Sequence, residues 1–452
     1  MNIVIHHRDL RINDNTTLNS MKNTIPIFIF TPEQITKNKY KSDKFVKFMC
    51  ENLKDLKNQY EKNKSYLNFF YGDSLDILKE INKKYKINSI GFNEDYSPYA
   101  KKRDDKIKKW CKKNKIEIVT KEDILLVPIK TGDTLAKSSG EGYKVFTPFK
   151  NYVKKTYKIE KASNKKPSLI KKILNIKSTI TNIDKFYEEN DELIFKPGRV
   201  NALKQLKKLK NQKKYNEMRN CLTYETSRLS AYINLGLISI REVYYYALKI
   251  LGKNNNFIDE LYWRDFYYNV LHFYPHVVGS SFNTKYKNIK WTNNKDYIKK
   301  WKEGKTGFPV VDACMRELNN TGYMHNRGRM IVSSFLIKDL LVDWKIGEQY
   351  FATKLLDYNI SANNGGWQWS AGTGTDAQPY FRIFEPWTQS KKFDPNCEYI
   401  KKWLPELKNV KCDDIHKWYE KYDSYSDVKY HEPIIEHSIQ REKALQLYKT
   451  IK

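Results

Sequence analysis

Five short β-rich runs, at residues 2–5, 25–30, 66–71, 89–93 and 117–120, alternate with charged helical patterns at 43–62, 74–85 and 99–113. Strands separated by helices cannot close tight hairpins. The helical crossovers make them run parallel, and a parallel sheet needs helices on both faces. The first 130 residues are therefore expected to form an α/β domain with a Rossmann-like parallel sheet. No G-x-G-x-x-G follows the first run, so the usual dinucleotide fingerprint is absent. The loop after it, HRDLRINDN at 7–15, is crowded with Arg and Asp and is read as a salt-bridged structural loop.

Past residue 200 the β signals fade and helical patterns take over, at 200–215, 239–251, 257–274, 310–318 and 327–344. Ser239 and Glu242 form a capping box for the second of these. The last is apolar nearly all round, which marks a buried central helix. Between the two regimes, 131–142 is rich in Gly and Ser, 143–153 is aromatic and basic, and 161–178 is a lysine-rich polar tract. These read as an interdomain connection running over the surface. The expected organisation is an α/β domain at 1–130, a linker at 131–199 and an all-α domain at 200–452.

Lys and Arg number 82 against 52 Asp and Glu, a net charge of +30 that favours a polyanionic partner, nucleic acid first. Six cysteines without a CxxC pair are neither a disulfide scaffold nor a zinc module, and they fit a reducing, intracellular compartment. Eight histidines form no HExxH spacing, so no metal site is expected. No apolar run reaches the roughly 18 residues that a membrane span needs. The opening MNIVIHHRDLR lacks a signal-peptide layout. An intracellular, soluble chain is expected.

Three constellations point to a ligand. The stretch 355–387 sets Gly365, Gly366, Gly372 and Gly374 among Asp357, Asn359, Asn363 and Asn364, small and polar groups suited to a heteroaromatic ring. Trp367 and Trp369, two apart, face different surfaces. The competing reading is a glycine-rich loop pinned by two tryptophans. On the 257–274 helix, Glu260, Trp263, Arg264 and Tyr267 share one face at i, i+3, i+4 and i+7. A carboxylate, an indole and a guanidinium together suit a ligand better than packing, although a Glu260–Arg264 salt bridge is the simpler use. Thr226, Ser227, Arg228, Leu229 and Ser230 suit a phosphate, or a plain helix cap. Arg329, among apolar neighbours, needs a carboxylate, and Asp357 is a candidate.

With these residues in hand the chain resembles the photolyase/cryptochrome flavoproteins, most like class I cyclobutane pyrimidine dimer photolyases. The resemblance rests on HRDLRINDN, YKVFTPFKNY, TSRLSAYINLGLIS, ELYWRDFY, WKEGKTGFPVVDACMRELNNTGYMHNRGRM, FLIKDLLVDW, ANNGGWQWSAGTGTDAQPYFRIF and KKFDPNCEYIKKWLPEL, in the family's order. It implies an α/β antenna domain, a helical domain holding FAD, active as FADH⁻, and a monomer acting on DNA that contains pyrimidine dimers. By that resemblance Tyr215 and Thr226 to Ser230 hold the FAD phosphates. Glu260, Arg264, Asn326, Arg329, Asp357, Asn359 and Asn363 surround flavin and adenine, with Asn363 at flavin N5. Trp263 and Trp369 pack against a flipped dimer, and Asn326 and Met330 touch it. Glu260 stabilises the charge that develops there. Arg219, Arg264, Arg327 and Arg382 hold phosphates and the lesion rim. Trp367, Trp344 and Trp291 form the chain that photoreduces the flavin.

Three positions depart from the family pattern: Asn359 replaces an aspartate, Glu385 an asparagine and Phe257 a tryptophan. Tyr99 and Ala100 stand where folate-binding relatives carry Asn-Glu, so the antenna is expected to be deazaflavin-like in preference to methenyltetrahydrofolate, or its site empty. His325-Asn326 stands where (6-4) photolyases have His-His. The rival readings are a cryptochrome-type blue-light sensor and a DASH-type single-strand photolyase.

Overall fold

The structure is a computed structural model that describes residues 1–129, 140–188 and 193–451. Most of the Gly- and Ser-rich stretch, 131–139, therefore lies outside the described residues. Five strands, β1 (Asn2–Ile5), β2 (Thr24–Phe30), β3 (Asn68–Tyr71), β4 (Ser89–Asn93) and β5 (Glu117–Lys121), form one parallel sheet in the order β3-β2-β1-β4-β5. Helices α1 (Asp43–Lys62), α2 (Ser74–Tyr85) and α3 (Pro98–Lys113) make crossovers, each capped by a side chain of Ser42, Asp73 or Ser97. The Ile-rich strands bury Ile3, which pairs with Ile25 and Ile90, and Ile5, which pairs with Ile27, against Ile77 and Ile107 from the helices. The α/β class read from the alternation is the one observed.

Two compact units divide the chain otherwise than the expected boundaries. One comprises Met1–Lys213, Ser227–Pro275 and Leu356–Asn359; the other comprises Lys214–Thr226, His276–Leu355 and Ile360–Lys452. Within the first unit, the lysine-rich tract does more than cross a surface. Leu169 bridges to Thr24 and Thr179 to Phe70, and Leu174 and Ile176 are buried in the sheet's core. The first unit also contains α4 (Phe146–Thr156), α5 (Ile240–Leu251) and α6 (Asn256–Phe273). The Ser239–Glu242 capping box at α5 is formed in both directions.

The loop at 7–15 is the structural loop expected of it. Arg11 and Arg241 meet Asp14 and Asp123 in a buried, charge-balanced cluster: Arg11 Nη2 lies 2.5 Å from Asp123, and Arg241 lies 2.8 Å from Asp123 and 3.0 Å from Asp14. Burial is tolerable because each charge has a partner and further hydrogen bonds.

The second unit is helical. Its expected central helix at 327–344 is broken into α7 (Asn326–Ser334), a π-helical turn (Phe335–Asp339) and α8 (Trp344–Lys354). Leu341 takes a left-handed φ of 53°, and Asp343 accepts from the Lys345 N–H, so a cap inside the apolar run starts a new helix. The glycine-rich stretch is helical only in part, as α9 (Ile360–Ala371), which holds Gly365 and Gly366 and which α10 (Pro386–Phe393) follows. Against the expectation of unpaired cysteines, Cys397 and Cys412 are joined as a disulfide. No helix among the described residues is long and apolar enough to cross a membrane.

Candidate functional site

In the first unit, α6 buries ten of its eighteen residues. Between Phe257 and Leu271 only Asp259, Glu260, Trp263, Arg264 and Tyr267 are partly open. The face expected to meet a ligand is thus the open face of that span. Trp263 is backed by Phe146 of α4, stacked at 3.7 Å between centroids and 9° from parallel, with Phe266 edge-on at 5.6 Å. One face of the indole is therefore occupied by the protein itself. Arg264 donates to the Ile124 carbonyl at 2.5 Å, and its guanidinium lies over the Tyr268 ring at 5.0 Å. Asp265, its buried neighbour, accepts from the Val127 N–H at 3.0 Å; burial pushes its carboxyl up to about 7 against the pull of Arg264.

Also in this unit, Ser230 Oγ donates to Asp357 Oδ2 at 2.7 Å, and Gln205 holds the Ser227 carbonyl at 2.9 Å. Arg228 takes a left-handed φ of 48°. Ser230 opens a five-residue helix, Ser230–Asn234, whose cap position is Leu229 with no side-chain cap bond. The hydroxyls of this segment therefore do not serve as that helix's cap. Asn359 Nδ2 donates to Asn234 Oδ1 at 3.1 Å and to Tyr268 OH at 2.6 Å. Beyond the sheet's C-terminal edge, Arg103 meets His7 Nδ1 at 3.1 Å and Tyr99 OH donates to Thr31 at 2.9 Å, while Ala100 is buried. Burial and then the Arg103 charge push His7 down to about 3, so it is neutral. β1 and β4 flank the strand-order reversal, where open α/β sheets bind ligands.

In the second unit, His325 caps α7, its Nδ1 accepting from the Arg327 N–H at 3.1 Å. That places Asn326, Arg327, Arg329 and Met330 in the first turns of α7. Arg327 donates to Asn220 at 2.7 Å and lies over the Phe393 ring at 4.3 Å. Its pKa falls to about 10, through burial first and then through the like charges of Arg219 and Arg382. Arg327 thus sits among the like charges of two others of the four arginines expected to hold phosphate, a repulsion that an anion would relieve. Arg264, the fourth, belongs to the other unit. Arg329 Nε donates to the Met324 carbonyl at 2.9 Å, and Thr226 Oγ1 meets Tyr323 OH at 3.3 Å. Tyr215 is buried at the start of a short helix, Tyr215–Met218.

On α9, Asn363 donates to the Glu348 carbonyl at 3.0 Å, whereas Asn364 and Gln368 both donate to that of Val277. Asn364 is thus a structural tie. Trp367 is 3% exposed and packs where any side chain on Gly347 would overlap its ring; Trp369, on the opposite side, is half-buried. The glycine that matters to this packing is Gly347. Trp344, 1% exposed, and half-buried Trp291 line one pocket with Tyr286. Trp301, to which the sequence assigns no role, lies edge-on to Trp367 at 6.1 Å and is fully buried. Glu385 accepts from the N–H groups of Trp387 and Thr388, so its carboxylate caps α10.

Residues 2–168 match the family described as DNA photolyase, and residues 257–450 match the FAD binding domain of DNA photolyase. The chain belongs to the DNA photolyase family. It is a flavoprotein enzyme whose cofactor is FAD. It is 36% identical to the deoxyribodipyrimidine photo-lyase of Buchnera aphidicola subsp. Acyrthosiphon pisum, over 99% of this chain and 96% of that one. Among solved structures, the archaeal photolyase from Sulfolobus tokodaii, with two FAD molecules, matches with a TM-score of 0.87 and 38% identity over the whole of both chains. The cryptochrome of Synechocystis sp. PCC6803 matches with a TM-score of 0.89 and 27% identity over 98% of each. The fold is thus shared by proteins named photolyase and cryptochrome.

Proposed function

We propose that this photolyase splits cyclobutane pyrimidine dimers in DNA under blue or near-UV light, in the manner of the class I enzymes. The observation that carries the reading is the open face of α6, where Glu260, Trp263 and Arg264 are partly open while most of their neighbours on the helix are buried. The donor set fits FAD. The hydroxyls of Thr226, Ser227 and Ser230, with Arg228 and Tyr215, suit its phosphates. Asn326, Asn359 and Asn363, with Arg264, Arg329 and Asp357, suit its heteroaromatic rings. When bound in its reduced anionic form, FAD supplies the electron that opens the cyclobutane ring.

The chain's own work is to bind, orient and shield. Trp263 and Trp369 give apolar surfaces to a dimer taken out of the duplex. Asn326 and Met330 contact it, and Glu260 meets the charge that develops on a pyrimidine carbonyl. Arg219, Arg327 and Arg382 hold backbone phosphates. Trp367, Trp344 and Trp291 lead from buried to half-exposed surroundings, an order suited to carrying an oxidising equivalent outward. His7, Tyr99 and Arg103 are the candidates for an antenna of the deazaflavin class.

The test is illumination of the reduced protein with a duplex carrying one thymine dimer, beside a duplex carrying a (6-4) product and a single strand carrying the dimer. Restoration of the dimer in the duplex is expected. Repair confined to the single strand would move the chain to the DASH type. Repair of neither lesion by a protein whose flavin still photoreduces would make it a sensor.

A further inference from the structure

Cys412 and His416 stand one turn apart, at either end of the short helix Cys412–Ile415, so both point to one side. Cys397, fully buried, precedes the helix Glu398–Trp403 with a left-handed φ of 53°, a conformation that residues bearing a Cβ rarely adopt. His416 Nε2 lies 3.4 Å from each of the two sulfurs and 3.3 Å from the Pro395 carbonyl oxygen. That carbonyl is in turn 3.2 Å from Cys412 Sγ. On the far side of the ring, Nδ1 lies 2.8 Å from Ser390 Oγ. The tautomer that donates Nε2–H to the Pro395 carbonyl suits the joined sulfurs; the one that donates Nδ1–H to Ser390 Oγ leaves the Nε2 lone pair among two sulfurs and a carbonyl oxygen. A disulfide has no use for that lone pair; a cation satisfies all four donors.

We propose that, once reduced, Cys397 and Cys412 bind zinc together with His416, and that the Pro395 carbonyl fills or flanks the fourth position. Two thiolates and an imidazole are a donor set that zinc takes, and an oriented outer ring nitrogen is the usual companion of a ligating histidine. Reduction by an external thiol or phosphine, itself oxidised in the exchange, adds two electrons and two protons to the joined sulfurs. Binding then forms two Zn–S bonds and releases those two protons, with no further change of oxidation state. Zinc and the disulfide are thus alternatives at one site. The site closes the chain just beyond Phe393, whose carbonyl accepts from the Leu222 N–H at 2.9 Å and whose ring underlies Arg327. Either bond therefore pins the seat of Arg327. That consequence rests on the proposed phosphate role of Arg327, whereas zinc binding does not.

The experiment uses the full chain, reduced with a phosphine, stripped with a chelator and titrated with Zn²⁺ against a chromophoric competitor. One zinc per chain is expected, and none after prior oxidation with glutathione disulfide. Cobalt(II) on the unmutated protein should give thiolate charge-transfer bands and strong tetrahedral bands to the red of the flavin. His416→Gln, with flavin content as the check on folding, should weaken zinc binding at least tenfold, and Cys397→Ser with Cys412→Ser should abolish it. The proposal is overturned if the reduced, flavin-containing protein gives no thiolate–cobalt band, or if His416→Gln binds zinc as tightly as the parent. These readouts do not involve repair, so they stand or fall apart from the proposed function.

Discussion

Replacing Trp263 by Ala tests the proposed lesion pocket most directly. One face of the indole is already stacked on Phe146 at 3.7 Å, so a pyrimidine can stack on the other face only. A single base–aromatic stack is worth about 1–3 kcal/mol, or roughly 5- to 150-fold in affinity. The variant should lose that much affinity for dimer-containing duplex and little for undamaged duplex, which offers no flipped base. Phe146→Leu keeps apolar bulk beneath the indole while removing the stacked ring. It should cost less, about 0.5–1.5 kcal/mol, because it loosens the platform without deleting it. The assay is a titration of labelled duplexes, with and without one thymine dimer, in the dark and at one fixed salt concentration, since phosphate contacts make affinity salt-dependent. Flavin absorbance reports that the variants remain folded. Equal losses on both duplexes, or no loss with flavin intact, would refute the placement of Trp263 against the lesion.

Trp344→Phe should block photoreduction of the oxidised flavin and leave repair by chemically reduced enzyme intact; photoreduction at the parent rate would break the proposed chain. Asp123→Asn leaves Arg11 and Arg241 facing Asp14 alone in a buried cluster, and it should cost about 3–5 kcal/mol, seen as a lower urea midpoint at unchanged slope. Asp265 has its pKa raised to about 7, chiefly by burial, so the folded chain holds a proton there that the unfolded chain has lost. Its contribution to stability is full below an unfolded pKa of about 3.9 and is lost as pH rises through the folded value. Asp265→Asn should flatten that fall in the thermal midpoint, and an unchanged profile would reject the assignment.

The sheet was legible because its determinants are local. Five β-rich runs and three amphipathic helices each carry their own period, and their alternation leaves only parallel pairing. The lysine-rich tract was misjudged because its burial is set by distant partners: Leu174 and Ile176 look isolated among lysines until Thr24 and Phe70 bring them to the sheet. The break between α7 and α8 was hidden for the opposite reason. Residues 331–341 are buried on every side, Lys338 and Asp339 included, and hydrophobic periodicity carries little information where every face is covered. The marker that remained was Asp343, a cap residue ahead of Trp344.

At the candidate site, the sequence identified residue types, while the structure supplied their partners. The face of α6 could be read from spacing, but Phe146 behind Trp263 and the Ile124 carbonyl beneath Arg264 come from distant segments. Asn359 shows what such partners decide. It stands where the resembling family has an aspartate, which by itself suggests a weakened flavin site. Its neighbour Asn234 is fixed on both ends, since Oδ1 accepts from Arg8 at 2.7 Å and Nδ2 donates to the Tyr358 carbonyl at 2.8 Å. The atom of Asn234 that faces residue 359 is therefore an acceptor, and only a donor can meet it. An amide supplies that donor and still reaches Tyr268 OH; a carboxylate would set two acceptors against each other. The substitution is thus matched to its surroundings, and Asn359→Asp, although it restores the family's residue, should destabilise this chain.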